Sequence, residues 1–209
     1  MDGIILQLQK NALDESVDIE TLMRQAYLIA RKLKLNDFLE WISNEQNGYE
    51  KKVPEYRIVR GKIKAWNPYY SWTPIVMPGD IEDITSKMPF GSPIATISDI
   101  YNNSNGTVMI AVPGSITDFL NQNTNGLQTN YSFFSTKTEM HRIISTVRNK
   151  ILEWAILLEE NGIVGEGLDF TNDEKSAAAH SSIINNYINN FYSTVDNTKI
   201  VQGDTSNDK

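Results

Sequence analysis

The sequence predicts an α+β domain in which an N-terminal helical hairpin and a long C-terminal helix pack with a small mixed or antiparallel sheet. Three observations support this class: apolar residues at helical spacing in residues 13–49, alternation with a period near two in residues 55–66, and a long apolar stripe in residues 138–161. Because strands lie between helices at both ends of the chain, the pattern indicates an α+β architecture.

The N-terminal hairpin begins with an acidic turn that Ser16 or Asp18 can cap. The first helix carries an apolar stripe at helical spacing: Leu22, Ala26, Ile29, Ala30 and Leu33. Asn36 is expected to cap the second helix, and Gly48 to end it. The connection between the two helices is very short, which favours an αα-hairpin.

Residues 55–66, EYRIVRGKIKAW, form the clearest predicted strand. Arg60, Lys62 and Lys64 fall on one face of it, which we expect to face solvent because the opposite face is apolar. The following NPYYSWTP breaks the strand with two prolines and is expected to be its turn. TPIVMP is expected to return as a partner strand.

The remaining elements are shorter until the long helix. Residues 80–88, 92–102 and 115–123 are expected to form short helices, the last one capped by Ser115. Residues 106–113 predict a buried strand, and residues 127–136 the last strand. The long helix Thr138–Asn161 ends at Gly162, and Thr171 or Asn172 caps a further short helix. We expect the hairpin and the long helix to pack through six residues: Leu22, Ala26, Ile29, Trp41, Ile151 and Trp154.

Composition excludes several kinds of site. The chain has no cysteine and two histidines, so a disulfide scaffold, a thiol nucleophile and a Cys-type or multi-histidine metal site are excluded. Its net charge of −7 argues against broad phosphate binding, although a local basic patch stays open. The first residues do not resemble a secretory signal, and no apolar window approaches the ~18–20 residues that span a bilayer. We expect a cytoplasmic protein with no membrane partner and no cofactor.

Three stretches carry a resemblance to a known family. They are LQKNALDESVDIETLMRQAYLIARKLKLNDFLEWISNEQNGY, VPEYRIVRGKIKAW and ILEWAILLEENGIVGEGLDFTNDEKSAA. Together they resemble the AbiTii domain of bacterial abortive-infection proteins. The resemblance implies phage defence in the cytoplasm and supplies no catalytic residues to carry over. We expect an AbiTii-like domain in residues 1–180 and a polar, Asn-rich tail or linker in residues 181–209.

A candidate binding surface lies on the predicted strand and its turn. Its residues combine cations with rings that could stack on bases: Arg60, Lys62, Lys64, Trp66, Tyr69, Tyr70 and Trp72. Lys51, Lys52 and Arg57 add further positive charge. The simpler interpretation, which the residues favour, is a solvated strand whose two tryptophans close the end of the core. A second candidate is an assembly segment in the tail, with strand formers at Val195, Ile200 and Val201.

The other polar groups favour structural roles. His141 has Glu139 and Arg142 beside it but no nucleophile at a motif spacing, and His180 is expected at a helix end. The glycines of GIVGEGLD follow a helix and lack a Lys-Ser or Lys-Thr pair, which favours a tight loop over a phosphate cradle. The acidic residues of this region match no EF-hand loop and favour a solvated face: Glu159, Glu160, Glu166, Asp169 and Asp173.

Two functional hypotheses of different class follow. The first is a non-catalytic interaction or oligomerisation module of a defence protein, with a protein partner or a second copy as its ligand. The alternative is a metal-dependent enzyme acting on nucleic acid or nucleotides, for which Asp80, Glu82 and Asp83 are the nearest approach to a carboxylate set.

Overall fold

The structure of the protein, a computed structural model, describes residues 3–77, 79–122 and 128–188. Within these ranges the chain forms nine α-helices and six strands in two antiparallel sheets, which confirms the predicted α+β class. In chain order the elements are α1 (Ile4–Leu13), α2 (Ile19–Leu33), α3 (Asn36–Asn47), β1 (Ile58–Arg60), β2 (Lys62–Asn67), β3 (Ser71–Pro74), α4 (Gly79–Thr85), β4 (Lys87–Pro89), α5 (Ile94–Asn103), β5 (Thr107–Ala111), α6 (Gly114–Gln122), β6 (Tyr131–Thr136), α7 (Lys137–Glu160), α8 (Asn172–His180) and α9 (Ser182–Asn186).

The predicted helical hairpin consists of α2 and α3. Asp18 rather than Ser16 caps α2, since its carboxylate accepts the Thr21 N–H at 2.8 Å. Lys34 then turns the chain in the left-handed conformation, at φ 60°. Gly48 ends α3 at φ 94°, a conformation that glycine adopts without strain. Asn36 is the first residue of α3 and not its cap.

Helix α7 lies at the centre of the domain and contacts α1, α2, α5 and the short 3-10 turn Glu55–Arg57. The six residues expected to join the hairpin to α7 are all fully buried. Phe38 of α3 stacks on Trp154 of α7 with ring centroids 3.8 Å apart. None of the helices in the described ranges combines the length and apolarity needed to cross a membrane.

The first helix, α1, was not predicted. Its apolar side chains, Ile4, Ile5, Leu8 and Ala12, are buried against the core. Its polar side reaches α7 as well, because Gln9 Nε2 donates to Glu159 Oε2 at 2.7 Å and to the Ala155 carbonyl at 3.3 Å. Helix α1 therefore packs along α7, which lies far from it in the sequence.

The strand predicted over residues 55–66 is two strands in two different sheets. β1 pairs with β4, whereas β2 lies inside a four-stranded sheet of order β3-β2-β6-β5. Gly61 separates the two strands. A larger residue would not fit here, because a Cβ atom at position 61 would collide with the Phe134 carbonyl oxygen. The predicted position of the return strand, TPIVMP, is also wrong by several residues. The strand that pairs with β2 is β3, Ser71–Pro74, and the turn before it is correspondingly shorter.

The strand predicted as buried, β5, lies at the edge of the four-stranded sheet. Val108 is buried while Thr107 and Met109 are exposed, as expected of an edge strand with one solvated face. The following helix α6 begins at Gly114, so Ser115 is inside the helix and not its cap.

The glycine-rich loop after α7 is closed by the helix that follows it. Gly162, Gly165 and Gly167 have φ values of 75°, 67° and 58°. Glu174 of α8 accepts hydrogen bonds from the N–H groups of Val164 and Gly165, and Thr171 forms a reciprocal capping box with it. The loop N–H groups are thus occupied by an internal carboxylate, in agreement with the tight loop expected from the sequence.

This arrangement predicts that Glu174 stabilises the fold in a manner that is lost at acid pH. Partial burial raises the pKa of Glu174, but the hydrogen bonds from the backbone of Gly165, Thr171 and Val164 outweigh burial and lower it. The pKa of this carboxyl is lower in the folded state than in the unfolded state. The ionised carboxylate therefore stabilises the fold at pH values above the pKa of the unfolded state, and this stabilisation is lost as the pH falls through the pKa of the folded state. We expect Glu174→Gln to cost about 1 kcal/mol at pH 7 and progressively less below pH about 4.5.

Urea denaturation of the parent protein and of Glu174→Gln, from pH 7 down to pH 3, measures the difference in their free energies of unfolding. Glu160→Gln, which changes an exposed carboxylate on α7, is the matched control and should behave like the parent protein. A cost for Glu174→Gln that stays constant down to pH 3 would contradict the role assigned to its charge.

Candidate functional site

The outer face of the four-stranded sheet carries most of the residues that the sequence singled out. Side chains alternate between the two faces of a strand, so directly paired residues share a face. Ile63 pairs with Phe133, and both are buried in the core. The intervening residues of β2, namely Lys62, Lys64 and Trp66, therefore lie on the opposite face, which is turned to solvent.

Three aromatic rings form a ladder across this face. Trp66 and Trp72 are direct partners on β2 and β3, and their rings meet edge to face with centroids 5.3 Å apart. Trp72 meets Phe134 of β6 in the same manner at 5.5 Å. Lys64 Nζ lies 4.4 Å from the centroid of the Phe134 ring, a cation–π contact that holds the ammonium group on the ladder.

The prediction that the tryptophans close the core is wrong. Trp66 is 43% exposed and Trp72 half-buried, and neither belongs to the buried core. Aromatic side chains suit strands on either face, so strand propensity alone could not place them. We call the set Lys62, Lys64, Trp66, Trp72 and Phe134 the ring-and-lysine face.

The β2–β3 turn extends this face with two tyrosines. Tyr69 and Tyr70 are 89% and 79% exposed. Their N–H groups both donate to Asn67 Oδ1, at 2.8 and 3.2 Å, so the side chain of Asn67 fixes the turn. The phenol rings are thus presented on an ordered backbone, and the arrangement suits contact with another molecule.

Two cations of the predicted basic strand lie elsewhere. Arg60 belongs to β1 and lines a groove beside α7. Arg57, which the sequence counted as part of the exposed positive charge, is fully buried. Lys62 remains exposed and lies 3.9 Å from Glu82 across to α4, a separation at which an exposed pair contributes little.

Arg57 belongs to a buried polar network that sequence reasoning missed. Its guanidinium forms an ion pair with Glu45 of α3, and both side chains have no exposed surface. Arg57 Nη1 also donates to the Ser92 carbonyl at 2.7 Å. Glu45 and Arg57 lie 12 positions apart in different elements, so no helical or strand spacing could have linked them.

Two tyrosines complete the network around the Glu45 carboxylate. The hydroxyl groups of Tyr49 and Tyr56 donate to Glu45 Oε1 at 2.6 and 2.7 Å, and Trp41 Nε1 donates to the Tyr56 hydroxyl at 2.8 Å. Burial, followed by the nearby Glu45 charge, raises the pKa of both phenols far above its usual value. Both tyrosines therefore stay protonated and donate to the Glu45 carboxylate.

The histidines and acidic groups stay apart from this face. His141 is exposed on α7 with its ring 5.3 Å from that of Tyr101, and His180 bonds the Ser176 carbonyl at the end of α8. Glu82 and Asp83 are exposed on α4, whereas the Asp80 side chain lies outside the described structure. Across the residues described, no three His, Asp or Glu side chains are placed to hold a metal ion.

The proposed assembly segment of the tail, Val195, Ile200 and Val201, lies outside the described residues. The chain is described as far as Ile188, which is buried. Tyr187 anchors this end, because its hydroxyl donates to Glu153 Oε2 at 2.8 Å and to the Lys150 carbonyl at 3.0 Å.

The fold and the ring-and-lysine face together define an α+β protein with an exposed aromatic and basic sheet surface. The family model of AbiTii matches residues 3–183, and the chain belongs to the AbiTii family. Membership indicates a bacterial abortive-infection defence protein. Comparison with curated proteins and with solved structures finds no match.

Proposed function

We propose that this domain is a non-catalytic interaction module of an abortive-infection protein, acting in the cytoplasm and joining copies of itself through the ring-and-lysine face. The observation that carries the proposal is the ladder of Trp66, Trp72 and Phe134 on a solvated sheet face. Exposed aromatic clusters of this kind mark binding surfaces, and tryptophan and tyrosine are the residues that most often dominate binding energy.

The distribution of charge favours a second copy of the chain as the binding partner of the ring-and-lysine face. The protein carries a net charge of −7, yet Lys62 and Lys64 flank the aromatic ladder. Exposed carboxylates lie at the far end of α7 and around α8, at Glu160, Glu166 and Asp173. A basic face and an acidic face on one chain are complementary between copies, which steers association and sets its register.

The tail supplies a second proposed contact. Residues after Ile188 are too polar to form a core alone, but Val195, Ile200 and Val201 are strand formers between turn residues. A lone strand of this kind is unstable and gains order by pairing with an exposed sheet edge. Both edge strands of the four-stranded sheet, β3 and β5, have a free side within the described structure.

The mass in solution tests both contacts. We expect the full chain to associate as its concentration rises, and Tyr69→Ser combined with Tyr70→Ser to abolish association because the two rings leave the contact. Both tyrosines are so exposed that the fold should not change. Tyr27→Ser, at an exposed tyrosine on α2, is the matched control. A chain ending at Ile188 keeps the Tyr187 hydrogen bonds and the buried Ile188, and isolates the contribution of the tail.

The outcomes separate the two contacts. Association that survives the double serine variant but is lost on truncation at Ile188 assigns assembly to the tail. A full chain that stays monomeric at every concentration contradicts self-association altogether.

Single-stranded nucleic acid is the second candidate ligand of the same face. One observation favours it: rings and a lysine on the exposed face of a four-stranded antiparallel sheet are the arrangement on which unpaired bases stack. Titration with labelled DNA and RNA oligonucleotides, with and without Mg²⁺ or Mn²⁺, measures binding and turnover together. If an oligonucleotide binds in a salt-dependent manner and Trp66→Ala weakens this binding, nucleic acid replaces the second copy as the proposed ligand. Turnover of the oligonucleotide would support the enzymatic alternative.

A further inference from the structure

We propose that the groove between α7 and residues 55–60 binds the phosphate groups of a small ligand of nucleotide size. The groove has a volume of about 640 Å³, within the range of small-molecule sites. It lies apart from the ring-and-lysine face, and none of the five residues of that face lines it. This inference therefore goes beyond the proposed function and does not depend on it.

Positive charge dominates the lining. Four cationic side chains surround the groove against two carboxylates: Arg60, Lys87, Arg142 and Lys150, with Glu55 and Glu139. In a chain with a net charge of −7, this is a local reversal of sign. A concave surface with an excess of one sign of charge attracts a ligand of the opposite sign.

Arg60 and Lys87 are direct partners in the β1–β4 pair, and both line the groove. Like charges placed opposite each other across two strands destabilise the pairing. An anion bound between them removes this repulsion, and a phosphate oxygen can accept hydrogen bonds from both side chains. The register of this small sheet is thus one that an anionic ligand would stabilise.

Arg142 and Glu139 form the fixed wall of the groove. Arg142 donates to the carbonyl groups of Tyr56 and Ile58 at 3.1 and 2.8 Å and to Glu139 Oε2 at 2.8 Å. Glu139 Oε2 also accepts the Arg60 N–H at 3.1 Å. Because these bonds tie α7 to the 3-10 turn and β1, the groove is formed before a ligand arrives, which lowers the cost of binding.

Lys150 of α7 is the third cation proposed to bind the ligand, across the groove from Arg60 and Lys87 of the β1–β4 pair. It is half-buried on α7, with Nζ 5.3 Å from the centroid of the Tyr56 ring. Burial lowers its pKa, while Glu153 and Glu45 act in the opposite direction. A bound phosphate would add a negative charge beside the ammonium and favour its charged form. The Tyr56 ring below it is held in turn by the buried Glu45 network.

Three cations that line one groove suit a ligand with several adjacent negative charges. Pyrophosphate and the diphosphate of a nucleotide share this chemistry, whereas a single carboxylate offers one charge. The size of the groove leaves room for a nucleoside beside the phosphates.

Calorimetric titration of the full chain with pyrophosphate and with ADP tests the site. We expect binding that weakens with added salt, and a Kd raised about tenfold by Lys87→Gln and again by Lys150→Met, as for the loss of one charge-assisted hydrogen bond each. Lys87 is exposed and methionine preserves the buried stem of Lys150, so both variants should fold. Lys34→Gln, at an exposed lysine that ends α2 and belongs neither to the groove nor to the ring-and-lysine face, is the matched control and should leave Kd unchanged.

Tighter binding of ADP than of pyrophosphate assigns the ligand to the nucleotides, and equal binding shows that the phosphates alone are recognised. The proposal is overturned if neither probe binds at millimolar concentration. It is also overturned if Lys87→Gln and Lys150→Met bind as the parent does, or if Lys34→Gln weakens binding equally, because the cations of the groove would then have no specific role.

Discussion

Replacing Trp154 with alanine is expected to lower the free energy of unfolding by about 3–5 kcal/mol, the cost of emptying the volume of a large buried ring. Trp154 lies on the central helix α7 and has no exposed surface. Its ring stacks on Phe38 at an interplanar angle of 11°, and Phe38 in turn contacts Trp41 with centroids 5.1 Å apart. The deletion therefore removes the stacked ring contact between α3 and α7, and the surrounding helices can collapse only in part.

Trp154→Phe provides the matched control. The Trp154 Nε1 is buried and has no hydrogen-bond partner among the described residues. Phenylalanine keeps a ring against Phe38 and removes this unsatisfied donor, whose burial is itself unfavourable. We expect a loss below about 1.5 kcal/mol for this variant. Denaturant unfolding followed by circular dichroism measures both, and a loss under about 1 kcal/mol for Trp154→Ala would contradict its place at the centre of the core.

Removing one partner of the buried Glu45–Arg57 pair is expected to cost about as much, roughly 3–5 kcal/mol, because the other charge is left buried without compensation. In Glu45→Leu the guanidinium of Arg57 keeps the Ser92 carbonyl as a partner but loses its counter-charge. Tyr49 and Tyr56 lose the acceptor of their hydroxyl groups in the same variant. In Arg57→Met the carboxylate instead retains the two phenols and loses its cation.

The double variant Glu45→Leu with Arg57→Met distinguishes the charge from the packing. Replacing both members of a buried pair with apolar side chains leaves no unpaired charge, so the double variant should recover that part of the loss, while Tyr49 and Tyr56 still lack their acceptor. The coupling between the two sites, obtained from the four unfolding free energies, measures the interaction. Losses that simply add in the double variant would show that the two side chains act independently.

The helical part of the fold was largely predictable because its rules are local. A capping side chain and an apolar stripe specify α2, and an apolar stripe with a glycine just beyond its end specifies α7, within a few residues. The helix α1 escaped prediction although Ile4, Ile5, Leu8 and Ala12 have helical spacing. Its ten residues form a short amphipathic segment, and its partner α7 lies far along the sequence, so nothing nearby indicates what would bury it.

The candidate site was predictable in its residues and not in its arrangement. Period-two alternation placed Lys62 and Lys64 correctly on the solvent side of β2. It could not show that Phe134 lies next to Trp72, because that proximity depends on β6, some 60 positions later, pairing beside β2. The groove beside α7 depends likewise on Gly61, where the close approach of the Phe134 carbonyl redirects the chain from one sheet to the other. Such long-range pairing is a property of the tertiary fold.

The pairing of α1 with α7 also has a consequence for how the protein is made. During synthesis the first helix leaves the ribosome well over a hundred residues ahead of its partner, since Gln9 contacts Glu159. Until then α1 can pack only on α2, the part of its apolar side that faces α7 remains uncovered, and the hairpin of α2 and α3 also lacks this helix. Folding of the core must therefore await the late helix, and contacts of such long sequence separation are formed slowly. Nascent chains that stall before α7 should consequently be the ones that engage chaperones.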